Sequence, residues 1–302
     1  MNSFALPLIE IDNLRKNLFL EGVSQRYAEP IGQVLLKLGK LSRQDTEKIL
    51  RLQKQQNILF GDAAKQSGLI TDTDIRRALT FQLDSSVSSQ ETAQLSPELA
   101  VIRQPDSALT ESIRAARTQL LLRGFPSSRK TVVVAGISQN CGASLFSANL
   151  AALFSQVGEK TLLVDANMRN PTVHHIFNLN NSSGLSDVLT HRTTLSEALF
   201  SIDALPNLTL LAAGAVQSDA SELLSASAFN ALNTDLTGQF DIIFYDTPAF
   251  LESTDALMVA KYSGCVLLVV HRNQSRLTDV SAVCQQITGN GIEIIGSVLV
   301  DY

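Results

Sequence analysis

A chain of 302 residues, 45% hydrophobic and 18% charged, has the composition of an ordinary soluble globular protein, with length for about two domains and a sizeable core. Its formal net charge of −5 excludes nucleic-acid binding as the main role, since that needs a basic surface. Cys141, Cys265 and Cys284 lie far apart without metal-ligand spacing, which fits a reducing, cytosolic compartment; no apolar run approaches the roughly 18 residues of a membrane span, and no secretion signal opens the chain.

Residues 1–28 carry a weak amphipathic pattern and form an N-terminal segment. Residues 29–83 repeat themselves. The run Ile31-Gly32-Gln33-Val34-Leu35-Leu36-Lys37-Leu38-Gly39 aligns with Phe60-Gly61-Asp62-Ala63-Ala64-Lys65-Gln66-Ser67-Gly68 at an offset of 29, which also pairs Leu41 with Ile70, Ser42 with Thr71 and Asp45 with Asp74. Each unit predicts a short helix, a glycine stop, a Ser or Thr N-cap and a second helix. The duplicated helix pair makes one small all-α domain. Residues 84–106 begin with a Ser-, Gln- and Thr-rich run that has the composition of a flexible linker. A helix over 107–122 follows and opens the last region, 107–302.

From Lys130 the pattern alternates. Short apolar runs at 132–135, 161–164, 208–211, 242–245, 266–270 and 292–299 are separated by helix-length stretches at 144–157, 221–236, 254–261 and 277–289. Continuous apolar strands between helices predict an α/β fold, a mostly parallel sheet of P-loop type with helices on both faces. The ligand site of such a sheet lies beyond the carboxyl ends of its strands.

Three strand ends carry candidate chemistry. The first strand runs into Gly136-Ile137-Ser138-Gln139-Asn140-Cys141-Gly142-Ala143-Ser144 and then a helix, an arrangement that presents N–H groups to phosphate. A full Walker A loop has lysine where Ala143 stands, reaching the β- and γ-phosphates, with the next hydroxyl, here Ser144, on Mg2+. Read by itself the loop is an ordinary βα turn. The second strand ends at Asp165-Ala166-Asn167-Met168-Arg169-Asn170-Pro171, where a carboxylate suits a metal or its water shell and Arg169 suits phosphate oxygens. By itself Asp165 reads equally as a helix or turn cap. The fourth strand ends in Phe244-Tyr245-Asp246-Thr247-Pro248, a Walker B form with Asp246 placed to hold a metal indirectly. Together the three point to a nucleotide site.

With these motifs in place, residues 107–302 resemble the bacterial tyrosine kinases (BY-kinases) of polysaccharide loci, and among them the chain-length-determinant kinases of exopolysaccharide clusters. Ser147-Ala148-Asn149-Leu150-Ala151 is similar to the family's helix after the P-loop. Asp165, Arg169 and Pro171 are similar to its second Walker motif, DxDxRxP. Gly184-Leu185-Ser186, Glu222-Leu223-Leu224, Asp246-Thr247-Pro248 and Asp255-Ala256 are similar to further signatures, and Glu111, Arg114 and Arg117 to the ExxRxxR helix. The resemblance implies ATP and Mg2+ as cofactors and tyrosine autophosphorylation. It implies Gly142, Ala143, Ser144 and Arg169 at the nucleotide, Ser144, Asp165 and Asp246 at the metal, and Asp165 and Asp246 in catalysis. It further implies a homo-oligomer joined through Glu111, Arg114 and Arg117, and a Wzz-like membrane chain-length determinant as partner, which would hold the cytoplasmic chain against the inner membrane.

The chain departs from the family pattern where lysine would reach the phosphates, at Ala143, and where a second acidic residue would follow Asp165, at Asn167. Only Tyr302 is a terminal tyrosine, the one candidate phosphoacceptor, while Tyr245 and Tyr262 fall in or near core elements. The expectation is therefore a kinase-family protein of exopolysaccharide synthesis or export with an eroded ATP site and weak or absent autokinase activity. An active autokinase is the first alternative, and a MinD/ParA-like ATPase the second, although that group places its signature lysine where Ser138 stands. Residues 29–83 resemble the N-terminal module of type II secretion and pilus ATPases, whose cyclic di-GMP-binding variants begin each unit with Arg-Leu-Gly. Pro30 and Leu59 occupy those arginine positions, so docking is preferred to dinucleotide binding.

Overall fold

The computed structural model describes residues 32, 35–36, 40–56, 60–71, 95–122, 125, 129–179, 183–225 and 227–301. The chain divides into two compact units, Met1–Ser86 and Val87–Tyr302.

In the smaller unit the described helices are α1 (Arg43–Gln56) and α2 (Phe60–Gln66). Ser42 caps α1 reciprocally: its Oγ accepts the Asp45 N–H at 3.2 Å while Asp45 Oδ2 accepts the Ser42 N–H at 3.1 Å. Gly68, at φ 69°, follows α2 in a left-handed conformation, as a glycine stop should. Leu35, Leu41, Ile49, Ala63, Ala64 and Ile70 form one buried cluster. A Cβ added at Gly32 would come within 3.0 Å of the Phe60 ring, so the start of the first repeat packs against the start of the second. The expected helix after Thr71 and the segment 1–28 lie outside the described residues.

The larger unit begins with α3 (Ala100–Arg103) and α4 (Ala108–Leu122), followed by β1 (Thr131–Gly136), α5 (Ala143–Gln156) and β2 (Thr161–Asp165). The short helices α6 (Val173–Ile176), α7 (Leu185–Leu189) and α8 (Leu195–Ala198) lead to β3 (Leu199–Ile202) and β4 (Leu205–Leu211). Next come α9 (Ala220–Ser225), α10 (Ser227–Gln239), β5 (Ile242–Asp246), α11 (Asp255–Ser263), β6 (Cys265–His271), α12 (Leu277–Gly289) and β7 (Glu293–Val300). The strands form one sheet in the order β3-β4-β2-β5-β1-β6-β7. Every pairing is parallel except β3 with β4. The fold is α/β, as the alternation of apolar runs and helices predicts.

Every residue of β1, β2 and β5 is buried, which explains why these strands read as continuous apolar runs rather than alternating ones. On one face α5 packs against the sheet, with Phe154 and Phe244 5.4 Å apart between ring centroids and Phe125 closing the cluster. On the other face Phe229 lies 5.8 Å from Tyr245 and 5.5 Å from Tyr262. Tyr245 is a core residue whose hydroxyl donates to Asn233 at 2.7 Å.

Two differences from the sequence reading stand out. The edge strand β3 was not among the six expected; it is four residues long, half-buried, and joined to β4 by the tight Asp203-Ala204 turn. The stretch expected as linker ends earlier than 106, because Leu95, Leu99 and Val101 belong to the α/β core. Asn149 on α5 latches that segment down, accepting the Val101 N–H at 3.1 Å and donating to the Glu98 carbonyl at 3.2 Å. Among the described residues no helix is long and apolar enough to cross a membrane.

Candidate nucleotide site

The loop between β1 and α5 folds back tightly over its own strand. A Cβ at Gly136 would stand 1.9 Å from the Cys141 sulfur, so only glycine lets that side chain sit there. Asn140 (φ 56°) and Gly142 (φ 79°) both adopt the left-handed conformation, which turns successive backbone N–H groups into an anion-binding concavity. The first helical hydrogen bond of α5 runs from Phe146 N–H to the Gly142 carbonyl at 2.9 Å, so the preceding N–H groups form the helix's electropositive end. Above them opens a cavity of about 430 Å³. Its wall is the loop itself, including Gly142, Ala143 and Ser144. Asn167, Asn170 and Thr172 contribute from the loop after β2, Thr247 and Glu252 from the segment after β5, and Glu98 from the latched segment before α3.

Asp165 and Asp246 face each other as register partners on the adjacent strands β2 and β5, and both are fully buried. Asp165 accepts N–H groups from Asn167 (3.1 Å), Thr172 (3.2 Å) and Val173 (3.1 Å), and so braces the loop and the start of α6. Burial pushes its carboxyl up to about 7, although these three hydrogen bonds pull the other way. Asp246 accepts the Ser147 hydroxyl at 3.3 Å, and the Ser144 and Ser147 hydroxyls pull its carboxyl down. Burial first, and the neighbouring Asp165 second, raise it well above the usual carboxylate range. Two adjacent buried carboxylates cannot both stay charged without a proton or a cation between them.

Among the described residues, Asp246 Oδ2 and Thr247 Oγ1 are buried without a hydrogen-bond partner. A divalent cation or its water would satisfy a buried carboxylate oxygen of that kind. The donor set thus fits Mg2+, with Ser144 and Asp246 as the residues that would hold it and Asp165 the neighbouring carboxyl on β2. The ion would supply positive charge against a bound polyphosphate.

Arg169, expected at the phosphates, points elsewhere. Its Nε donates to Asp255 Oδ2 at 2.7 Å, and its Nη2 donates to Asp255 Oδ1 at 3.3 Å and Ser221 Oγ at 3.0 Å. Its Nη1 donates to the Ser218 carbonyl at 2.9 Å. Asp255 is fully buried and also accepts the Ser221 hydroxyl. This bidentate pair ties the loop after β2 to the starts of α9 and α11, on residues that do not line the cavity. The reason is energetic: a buried carboxylate at the first turn of α11 demands a cation, and Arg169 supplies it.

The charged helix α4 is also partly committed within the chain. Arg114 reaches Glu111 at 3.5 Å and the Pro105 carbonyl at 2.9 Å, and Arg117 reaches the Leu153 carbonyl of α5 at 3.1 Å. Burial, then the charge of Arg114, lowers the Arg117 guanidinium. Glu111 is exposed. Tyr302 lies outside the described residues. Glu98 and Glu252 are site residues that the motifs do not single out, whereas Thr247 belongs to the Asp246-Thr247-Pro248 motif; the signal for Glu98 is the apolar spacing of Leu95, Leu99 and Val101 around it.

Comparison with known proteins agrees with the α/β fold. The family model of the cellulose biosynthesis protein BcsQ matches residues 129–280, half of the chain. The protein assigned as tyrosine-protein kinase CapB of Staphylococcus aureus is 32% identical over 201 residues, covering 67% of this chain and 88% of CapB. The chain belongs to the bacterial tyrosine kinase family and, through residues 129–280, to the BcsQ family. Tyrosine-protein kinase wzc of Salmonella typhimurium is 30% identical over 202 residues, 67% of this chain but only 28% of that longer protein. The crystal structure of the chimerical protein CapA2B2 superposes with a TM-score of 0.64 at 32% identity, covering 69% of this chain and 91% of that one.

Proposed function

We propose that this chain is a kinase-fold subunit of exopolysaccharide synthesis or export whose nucleotide site serves regulation or assembly rather than efficient phosphoryl transfer. One observation carries the reading. Among the described residues, the cavity above the phosphate loop is lined by no lysine or arginine, with Ala143 at the start of α5 and Arg169 held by Asp255. Phosphoryl transfer depends on positioning and on cancelling the charge that builds on the transferred group. The backbone cradle and the Ser144–Asp246 pair support binding of Mg-nucleotide, but the side-chain charge that speeds transfer is missing. Family membership supports a homo-oligomer built through the Glu111, Arg114 and Arg117 helix. It equally supports a Wzz-like membrane partner that holds the chain on the cytoplasmic face of the inner membrane. The duplicated α module acts as a docking element, with cyclic di-GMP disfavoured by Pro30 and Leu59. In cells making the polymer, the isolated native chain should carry no phosphotyrosine above that of a Tyr302→Phe variant; a strong Tyr302-dependent signal would overturn the proposal.

A further inference from the structure

The two edges of the sheet are not alike. At one edge β3 is four residues long, and its pairing with β4 loses register between Ser201 and Ile202, which discourages further pairing. At the other edge β7 runs for eight residues, with no proline or lysine and a single charged residue, Glu293, at its start. Its register with β6 is regular from Gly296 to Val300. A long edge without such protection invites another strand. We propose that β7 is the pairing edge of a two-fold dimer, in which two copies of this chain join their sheets by antiparallel contact of β7 with β7.

The backbone decides which residues pair. The Val300 carbonyl accepts the Arg272 N–H at 2.8 Å, so Val300 turns its backbone groups toward β6. Alternation then turns those of Ser297 and Leu299 outward, where no strand lies among the described residues. Their register partners, Leu268 and Val270, lie on one face of the sheet, so Ser297 and Leu299 share that face. Pairing about Val298 sets Ser297 of each copy opposite Leu299 of the other, outward residue against outward residue, and each such pair exchanges both its N–H···O bonds. The Leu299 side chain, 64% exposed in the single chain, gains cover from the same contact.

The strand ends select the direction. Glu293 at the amino end pairs with Arg129 at 2.9 Å, and Asp301 after the carboxyl end pairs with Arg272 at 3.1 Å, all four side chains being exposed. Parallel pairing would set Glu293 against Glu293 and Asp301 against Asp301. Antiparallel pairing instead brings the Arg129–Glu293 pair of one copy toward the Asp301–Arg272 pair of the other, and it is the sense that a closed two-fold requires. The edge is complementary to itself, which makes a second copy its occupant. The contact uses no residue of α4 or of the phosphate loop, so it stands or falls by itself.

Two measurements test it. In hydrogen exchange of the native chain, the Ser297 and Leu299 amides should be slow at high protein concentration and speed up on dilution. Sedimentation equilibrium of the full chain carrying Arg114→Glu and Arg117→Glu, which removes any contact through α4, should show a reversible dimer. Adding Leu299→Pro removes an outward N–H and spares the ladder to β6, so that dimer should weaken on the order of tenfold or more. Leu299→Lys, which places a charge on the edge, should weaken it as well. Exchange at Ser297 and Leu299 that does not change on dilution would overturn the proposal. So would a dimer that both Leu299 variants leave at full strength, or a chain that stays monomeric at every concentration. Where a variant loses its native circular dichroism, the exchange measurement on the native chain decides alone.

Discussion

The buried pair Asp165 and Asp246 makes stability depend on pH in an unusual direction. A carboxyl at its ordinary value of 3.8 in the unfolded chain, raised to about 7 in the folded one for Asp165, binds its proton more tightly when folded. The folded state then holds more protons than the unfolded state between those values, so stability falls as pH rises through the window from about 4 to about 7. The stabilisation is fully present below pH 4 and lost above 7. Each pH unit of that window is worth about 1.4 kcal/mol, so the swing for this carboxyl is at most about 4 kcal/mol, shared in practice with Asp246. Most exposed carboxylates act in the opposite sense, which makes a difference measurement necessary. Urea unfolding at pH 5 and pH 8 in EDTA, compared between the native chain and Asp165→Asn, isolates this carboxyl. The native chain should lose about 2–4 kcal/mol relative to the variant on going from pH 5 to pH 8, and Mg2+ should restore most of that loss at pH 8. Identical pH profiles for the two proteins, or a native profile that Mg2+ leaves untouched, would refute the reasoning.

Three further outcomes follow from the geometry. Arg169→Gln strips a buried Asp255 of its bidentate partner and should cost about 2–3 kcal/mol in urea unfolding, a partly exposed arginine losing less than a fully buried one; a change under about 0.5 kcal/mol would mean the pair is not structural. Replacing Arg114 and Arg117 together by glutamate should break larger oligomers down to no more than the β7-paired dimer in light scattering, whereas a native chain that is monomeric even with nucleotide at high concentration would end the proposal of assembly through α4. A fragment of residues 1–88 should unfold cooperatively with a helical circular dichroism spectrum, because the repeats share one buried cluster. A disordered spectrum, or micromolar cyclic di-GMP binding by that fragment, would contradict the independent docking module.

Much of the α/β architecture was legible because burial on both faces leaves a plain trace. Val132, Val133, Val134, Ile242, Ile243 and Phe244 could be read as central strands since every one of them is buried. Asp165 and Asp246 were legible for the same reason, as polar residues ending apolar runs. The short antiparallel strand β3 left no comparable trace, being half-buried at a sheet edge. What sequence spacing could not convey was direction. Arg169 sits two residues beyond Asn167, which lines the cavity, yet its guanidinium turns to Asp255, far along the chain. Glu98 reaches the cavity through the side-chain amide of Asn149, a contact that no local pattern announces. In both cases a distant buried polar group, not the neighbouring sequence, set where the side chain went.

The central claim is that the phosphate loop without its lysine binds nucleotide but transfers phosphate poorly. The most direct measurement incubates labelled ATP and Mg2+ with the native chain, with Ala143→Lys and with Asp165→Ala, each alone and with the cytoplasmic tail of the proposed Wzz-like membrane partner. Loss of one preorganised electrostatic contact commonly lowers turnover by about 10²-fold or more, so the native chain should incorporate little or no label, and Ala143→Lys should incorporate more. Robust labelling of the native chain, abolished by Asp165→Ala, would contradict the account and identify an active autokinase.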